Sequence, residues 1–291
     1  MSESTRARVM QSPPVFRGTS LDSPVTKVGL PLIAVQPGVA GHLPGTACLV
    51  APWFAMTARH VIEDLAFPPE GVGHYVFTQV IADPVKSVLP LRVHRVYYAQ
   101  PYDIAFLHLV PAAPLPSDHV WACPRLELLP PRVGSRIAAF GYPRSRMRET
   151  EPDCWEVNTD ATTATGTVLE IHHETRDGGT HPFPCFRTDA RFDPGMSGGP
   201  VFNEEGHICG IICSNMPPQS ADGEHASYVS TLWPCMGTMV DVPWDRYPAG
   251  TRYPVYEMAQ ARIINALHLD HVNVVVRPDG TQTVACRRYD R

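Results

Sequence analysis

A serine set among glycines, Asp193-Pro194-Gly195-Met196-Ser197-Gly198-Gly199-Pro200, runs straight into the apolar pair Val201-Phe202. Those residue types suit a nucleophile loop. Gly195 lets the backbone turn so that the amides of Gly195 and Ser197 can aim at one point and hold an oxyanion, while Gly198 and Gly199 keep bulk away from a substrate. A serine hydroxyl alone is a poor nucleophile, so the chemistry requires a histidine base and an acid to orient it. Both lie upstream. His60 sits in Thr57-Ala58-Arg59-His60-Val61, at the end of a strand-like run from Thr46 to Met56, and Asp103 heads the apolar stretch Ile104-Ala105-Phe106-Leu107. Taken singly, a glycine turn or a hydrogen-bonded core histidine needs no catalytic explanation. Three signals in the order His, Asp, Ser, each beside the strand the mechanism needs, point to a serine hydrolase.

The pentapeptide Gly195-Met-Ser-Gly-Gly199 also fits the nucleophile elbow of α/β-hydrolases, which must run from a strand into a helix. Here Pro200, Val201 and Phe202 are followed by Asn203-Glu204-Glu205-Gly206 and a second apolar run, Ile208 to Cys213. That pattern predicts strand, hairpin turn and strand. An elbow serine would also need its acid and histidine downstream, so the elbow is rejected.

The elements that must position these residues read as many short strands. Apolar or alternating runs at Leu30 to Val35, Ala47 to Val50, Ala55 to Ala58, Tyr75 to Ile81, Leu91 to Tyr98 and Ile104 to Leu109 suffice for a first barrel. Prolines 111, 114, 116, 124, 130 and 131 make a stiff crossing. A second set follows at Arg136 to Phe140, Thr165 to Ile171, Cys185 to Thr188, Gly199 to Phe202, Ile208 to Ser214 and Ala226 to Thr231. Val255, Met258, Ala259, Ile263, Ala266 and Leu267 recur at helical spacing and predict an amphipathic helix. Val272 to Val276 and Thr281 to Ala285, joined by Arg-Pro-Asp-Gly, predict a terminal β-hairpin.

Composition narrows the partners. A net charge of −5 without a basic cluster argues against nucleic acid. The apolar runs fall short of the roughly 20 residues of a membrane span, and the polar start, broken by Pro13, Pro14 and Arg17, lacks the apolar stretch of a signal peptide, so the expected location is cytoplasmic. Residues 1–25 are expected to be a disordered tail. No metal or other cofactor is implied: Cys209 and Cys213 lack the usual two-residue zinc spacing, would share one strand face, and read as buried thiols.

Thr57-Ala58-Arg59-His60, Asp103-Ile-Ala-Phe-Leu107 and the serine octapeptide resemble the motifs of the trypsin/chymotrypsin superfamily. Thr188-Asp189-Ala190 before that octapeptide, with Val133-Gly134 and Phe140-Gly141-Tyr142-Pro143, is most similar to its HtrA-type bacterial branch. The resemblance covers about residues 28–235. It implies an all-β fold of two consecutive six-stranded antiparallel barrels with a C-terminal α-helix, to which the hairpin is an addition. The expected boundaries are 26–131 for the first barrel and linker, 132–250 for the second barrel, and 251–291 for helix and hairpin, with 26–291 one protease unit. Many HtrA-type enzymes carry a C-terminal peptide-binding domain, which is not expected here.

By the same resemblance Ser197 is the nucleophile, His60 the base, Asp103 the orienting acid, and Cys213, Ser214 and Asn215 line the substrate edge beyond Ile212 and the mouth of the specificity pocket. Cys213 replaces a serine that commonly touches the acid. Val61 and Asp193 stand where secreted relatives carry cysteines, so those bridges cannot form. Met196 stands where secreted enzymes have the aspartate that pairs with a newly cut amino terminus, so that activation route is closed. Arg191 occupies the position of the pocket-floor residue: there it would favour an acidic side chain before the scissile bond, whereas turned to solvent it would leave an apolar pocket. The implied function is an intracellular serine endopeptidase acting on protein or peptide substrates, with one or few targets and an activating protein partner, of the kind found in bacterial antiviral defence or stress systems. A housekeeping quality-control protease and an inactive protease-fold scaffold are the alternatives.

Overall fold

Runs rich in β-branched and aromatic residues, cut short by proline and glycine, fold almost entirely as strands. The computed structural model describes residues 15–18, 24–36, 39–63, 73–81, 86–151 except 116 and 118, 154–216 except 180, 226–278 except 245 and 246, and 281–287. Strand β1 (Val15–Gly18) precedes the first barrel, formed by β2 (Gly29–Gln36), β3 (Val39–Ala51), β4 (Phe54–Thr57), β5 (Gly73–Ile81), β6 (Lys86–Tyr98) and β7 (Ala105–Pro111). A single helical turn, α1 (Arg59–Glu63), follows β4. The barrel closes in the order β2-β3-β4-β7-β6-β5, with every neighbouring pair antiparallel. Strand β4 is buried at all four positions, and Phe54 stacks on Phe106 across the β4–β7 pair with ring centroids 5.1 Å apart.

The proline-rich crossing contains one strand the sequence did not signal, β8 (Arg125–Glu127). The second half contains β9 (Arg136–Gly141), β10 (Arg146–Glu151), β11 (Cys154–Asn158), β12 (Thr162–His172), β13 (Cys185–Thr188), β14 (Pro200–Phe202), β15 (Ile208–Met216) and β16 (Ala226–Ser230). Six of these, in the order β14-β9-β12-β13-β16-β15, form the second barrel, and the ring is completed because the short β14 bonds to both β9 and β15. The β10–β11 hairpin stands outside the ring and takes β1 as a third, parallel strand. Val15–Gly18 is therefore ordered strand, which corrects the expectation of a structureless tail at those residues. Residues 1–14 lie outside the described residues.

After the ring come β17 (Met239–Val240), β18 (Tyr253–Pro254), α2 (Val255–Gln260), β19 (Asn265–Leu267), β20 (Val272–Val276) and β21 (Gln282–Cys286). The amphipathic spacing predicted a helix through Leu267, but α2 stops at Gln260. Arg262 adopts a left-handed φ of 59°, its amide bonds to the Ala259 carbonyl and the Ile263 amide reaches back to Met258. This is a Schellman end with arginine in the place usually held by glycine, so the stop signal is missing from the sequence. The chain beyond it becomes β19, which pairs in parallel with β8. The predicted hairpin forms as β20 and β21. It packs on the turn Trp233–Gly237 so closely that a Cβ on Gly237 would lie 2.5 Å from Val284. Among the described residues no helix is long and apolar enough to cross a membrane.

Candidate active site

His60 and Asp103 come from opposite ends of neighbouring strands. Strand β4 ends in Thr57, whose hydroxyl donates to the Thr46 carbonyl at 2.8 Å, and α1 begins two residues later with His60 as its second residue. Asp103 lies just before β7, which is hydrogen-bonded to β4, after a turn in which the Tyr102 amide donates to Ala99 at 2.6 Å. The Asp103 carboxylate accepts the His60 backbone N–H at 3.0 Å and meets ring Nδ1 at 3.1 and 2.9 Å with its two oxygens. It thus caps the helical turn and orients the ring together. Nδ1 carries the proton in that arrangement, which leaves Nε2 of a neutral ring as an acceptor. The Asp103 side chain is 15% exposed and His60 41%.

Ser197 is set between two tight turns. The Met196 amide donates to Asp193 at 3.1 Å and the Gly199 amide to Met196 at 2.9 Å. The third residues of these turns, Gly195 and Gly198, have φ of 95° and 83°, the type II requirement that a side chain resists. At Gly198 a Cβ would also lie 2.1 Å from the Thr46 carbonyl oxygen. Bonds from both barrels lace the loop: Thr46 of β3 donates its amide to Ser197 at 2.8 Å, and the Gly198 amide donates to Ile212 of β15 at 2.9 Å. Among the described residues neither the Gly195 nor the Ser197 amide donates to a backbone carbonyl. Met196 is fully buried in the core of the second barrel.

A cleft of about 910 Å³ holds His60, Asp103 and Ser197, with Ile212, Cys213 and Ser214 of β15 on its wall. Arg191 does not reach it. Its side chain is 74% exposed and paired with Asp193 at 3.2 Å, because the loop before the serine turns it outward, where a guanidinium keeps its hydration. Asn215 continues β15 opposite Ser227. A register shift between Ile212 and Ser214 separates the two cysteines expected on one face: Cys209 enters the barrel core, whereas Cys213 joins Phe183, Cys185 and Tyr228. Burial first, and the nearby Asp103 charge second, push the Cys213 thiol well above its usual range. All eight cysteines are free.

One residue of the cleft wall, His181, carries no signal in the sequence. His181 is 2% exposed, and its Nε2 lies 2.6 Å from the Ser214 hydroxyl. Its Nδ1 lies 3.4 Å from the Arg176 guanidinium and 3.8 Å from the Asp177 carboxylate. Burial, with Arg176 next, lowers its pKa. The His181 and Gly179 amides both donate to Asp177, whose carboxyl is held down to about 2 chiefly by the bond from His181. A lone histidine in an irregular loop offers no periodicity to mark it.

The family described as trypsin-like peptidase domain matches residues 45–211 of this chain. Among solved structures the chain is similar to Deg5, with 18% identity and a TM-score of 0.49 over 71% of this chain and 84% of that one. It is also similar to the MamO protease domain of Magnetospirillum magneticum, at 16% identity and 0.45 over 71% and 93%. A third is an inactive form of Rv3671c from M. tuberculosis H37Rv, at 18% identity and 0.44 over 72% and 85%. No curated protein matches.

Proposed function

The chain belongs to the trypsin-like peptidase family, and on that premise we propose that it is an endopeptidase working through an acyl-enzyme on Ser197. The observation that carries the reading is the Asp103 carboxylate closed on both the ring and the amide of His60 in the cleft that also holds Ser197. His60 Nε2 takes the hydroxyl proton as Ser197 Oγ bonds to the scissile carbonyl carbon. The tetrahedral oxyanion then collapses, and the C–N bond breaks as His60 returns the proton to the leaving amine. Water enters and gives its proton to His60 as its oxygen bonds to the acyl carbon, and the ester C–O bond then breaks as His60 returns that proton to Ser197 Oγ. Asp103 holds the tautomer and stabilises the imidazolium without itself becoming protonated. The Gly195 and Ser197 amides receive the oxyanion, each donor contributing roughly 3 kcal/mol in comparable enzymes.

The substrate is an extended peptide that adds as a strand along β15 beyond Ile212. Its side chain before the scissile bond enters a wall of Phe192, Ile212 and Cys213, while Arg191 points away. This favours the apolar form of the pocket. A peptide library should therefore be cut after Ala, Val or Leu in preference to Asp or Glu, and S197A should cut nothing; preference for acidic residues would reinstate Arg191 as the pocket determinant.

A further inference from the structure

Gly195 poses a positioning problem that its own sequence does not solve. A glycine peptide rotates freely, and the neighbouring Met196, apolar and buried among core side chains, has no charge with which to lock it. The peptide that follows it, Gly195–Met196, is held twice: its N–H by the Asp193–Met196 turn bond, and its carbonyl from the other barrel. The Thr46 hydroxyl donates to Gly195 O at 3.0 Å and accepts the Tyr142 amide at 3.2 Å. One hydroxyl therefore joins three segments: β3 of the first barrel, the residue following β9 of the second, and the nucleophile loop.

The rest of Thr46 is committed to the same junction. It is fully buried; its amide donates to the Ser197 carbonyl and its carbonyl accepts from Thr57 Oγ1. Opposite it in β2 stands Pro31, which has no N–H to offer. Thr46 thus grips the carbonyls of both residues whose amides would receive the oxyanion. The Gly195–Met196 peptide joins the peptide bearing the Gly195 amide to the one bearing the Ser197 amide, and with its carbonyl and that of Ser197 held the loop has a fixed frame from which both amides project. We propose that Thr46 is a positioning residue, whose hydroxyl anchors the Gly195–Met196 peptide that links the two oxyanion-binding amides, in place of a charged lock within the loop. This assignment rests on the peptidase reading above.

Steady-state hydrolysis of a peptide cut by the wild type, beside phosphonylation of Ser197 by a fluorophosphonate, tests it in T46V and T46S. T46V keeps the shape and removes the hydroxyl. It should lower kcat by about tenfold to a hundredfold and change KM by no more than about threefold, with the pH midpoint of kcat unmoved because the His60–Asp103 pair is untouched. T46S should restore kcat to within about threefold of wild type. A folded T46V with wild-type kcat, or a T46S as impaired as T46V, overturns the assignment. If T46V does not fold, T46C, with a weak donor in the same space, should show the same split, and wild-type kcat in folded T46C is equally fatal. A wild type that the fluorophosphonate does not label overturns the peptidase reading itself, and this assignment with it, before any variant is made.

Discussion

The two barrels supply the site in different ways. The first is closed by six strands with long antiparallel pairings, and it delivers His60 and Asp103 from the ends of adjacent strands without unusual backbone at either residue. The second closes through the three-residue β14 and delivers Ser197 on consecutive turns with left-handed glycines. A charge pair can be placed by regular strands and corrected by its own hydrogen bonds. The loop proposed to carry a nucleophile beside two aimed amides has backbone shapes that regular strands lack, so that half depends on residues without side chains and on clamps from its neighbour.

The widest test of this contrast is whether the halves nevertheless act as one unit. S197A and H60A should each reduce kcat by about 10⁶-fold, with the double variant no worse than either, and D103N by about 10⁴-fold; single-turnover assays with a peptide substrate would measure all four. Additive losses in the double variant would break the unit apart. Stability separates the barrels next. G198A, strained by its φ and by contact with Thr46 and Thr57, should lose about 4 kcal/mol or more in urea unfolding. L49A, which removes a fully buried side chain from the first barrel, should cost about 2–5 kcal/mol but leave kcat of the folded protein unchanged.

The smallest effect is acid sensitivity on the first-barrel side. Burial, aided by His94, lowers the pKa of His108 to about 4. The unfolded chain would bind this proton from about pH 6.5 downward while the native state refuses it until about pH 4. Stability contributed here is therefore whole above 6.5 and falls as the pH drops through that window, by on the order of 1 kcal/mol after allowance for partial exposure. Melting curves of H108Q should show a flatter decline between those values, and an unchanged slope would exclude His108 as the cause.

The signals that could be read in the sequence were local ones. Val201-Phe202, the turn 203–206 and the run from Ile208 announced the β14–β15 hairpin, and Ile104 to Leu109 marked β7 and so the place of Asp103. Alternation also traced the twelve barrel strands and the terminal hairpin. What escaped depends on partners distant in the chain. Strands β8 and β19 are three residues each and exist by parallel pairing, β8 with β15 and β19 with β8; β1 is recruited by β11. The end of α2 relies on a left-handed arginine where a glycine would have been legible. A bulge after Ile212 broke the period-two rule for Cys213, and His181 reaches the cleft wall only because the loop around Asp177 folds it against Ser214. Loop position left Arg191 open between the pocket floor and solvent, and only its exposed pairing with Asp193 gives it a direction.

The most direct measurement is the mass-spectrometric map of the residue phosphonylated by a fluorophosphonate, in wild type and in H60A. The account predicts a single adduct on Ser197 that H60A slows by orders of magnitude. An adduct elsewhere, or equal labelling of Ser197 without His60, would contradict it.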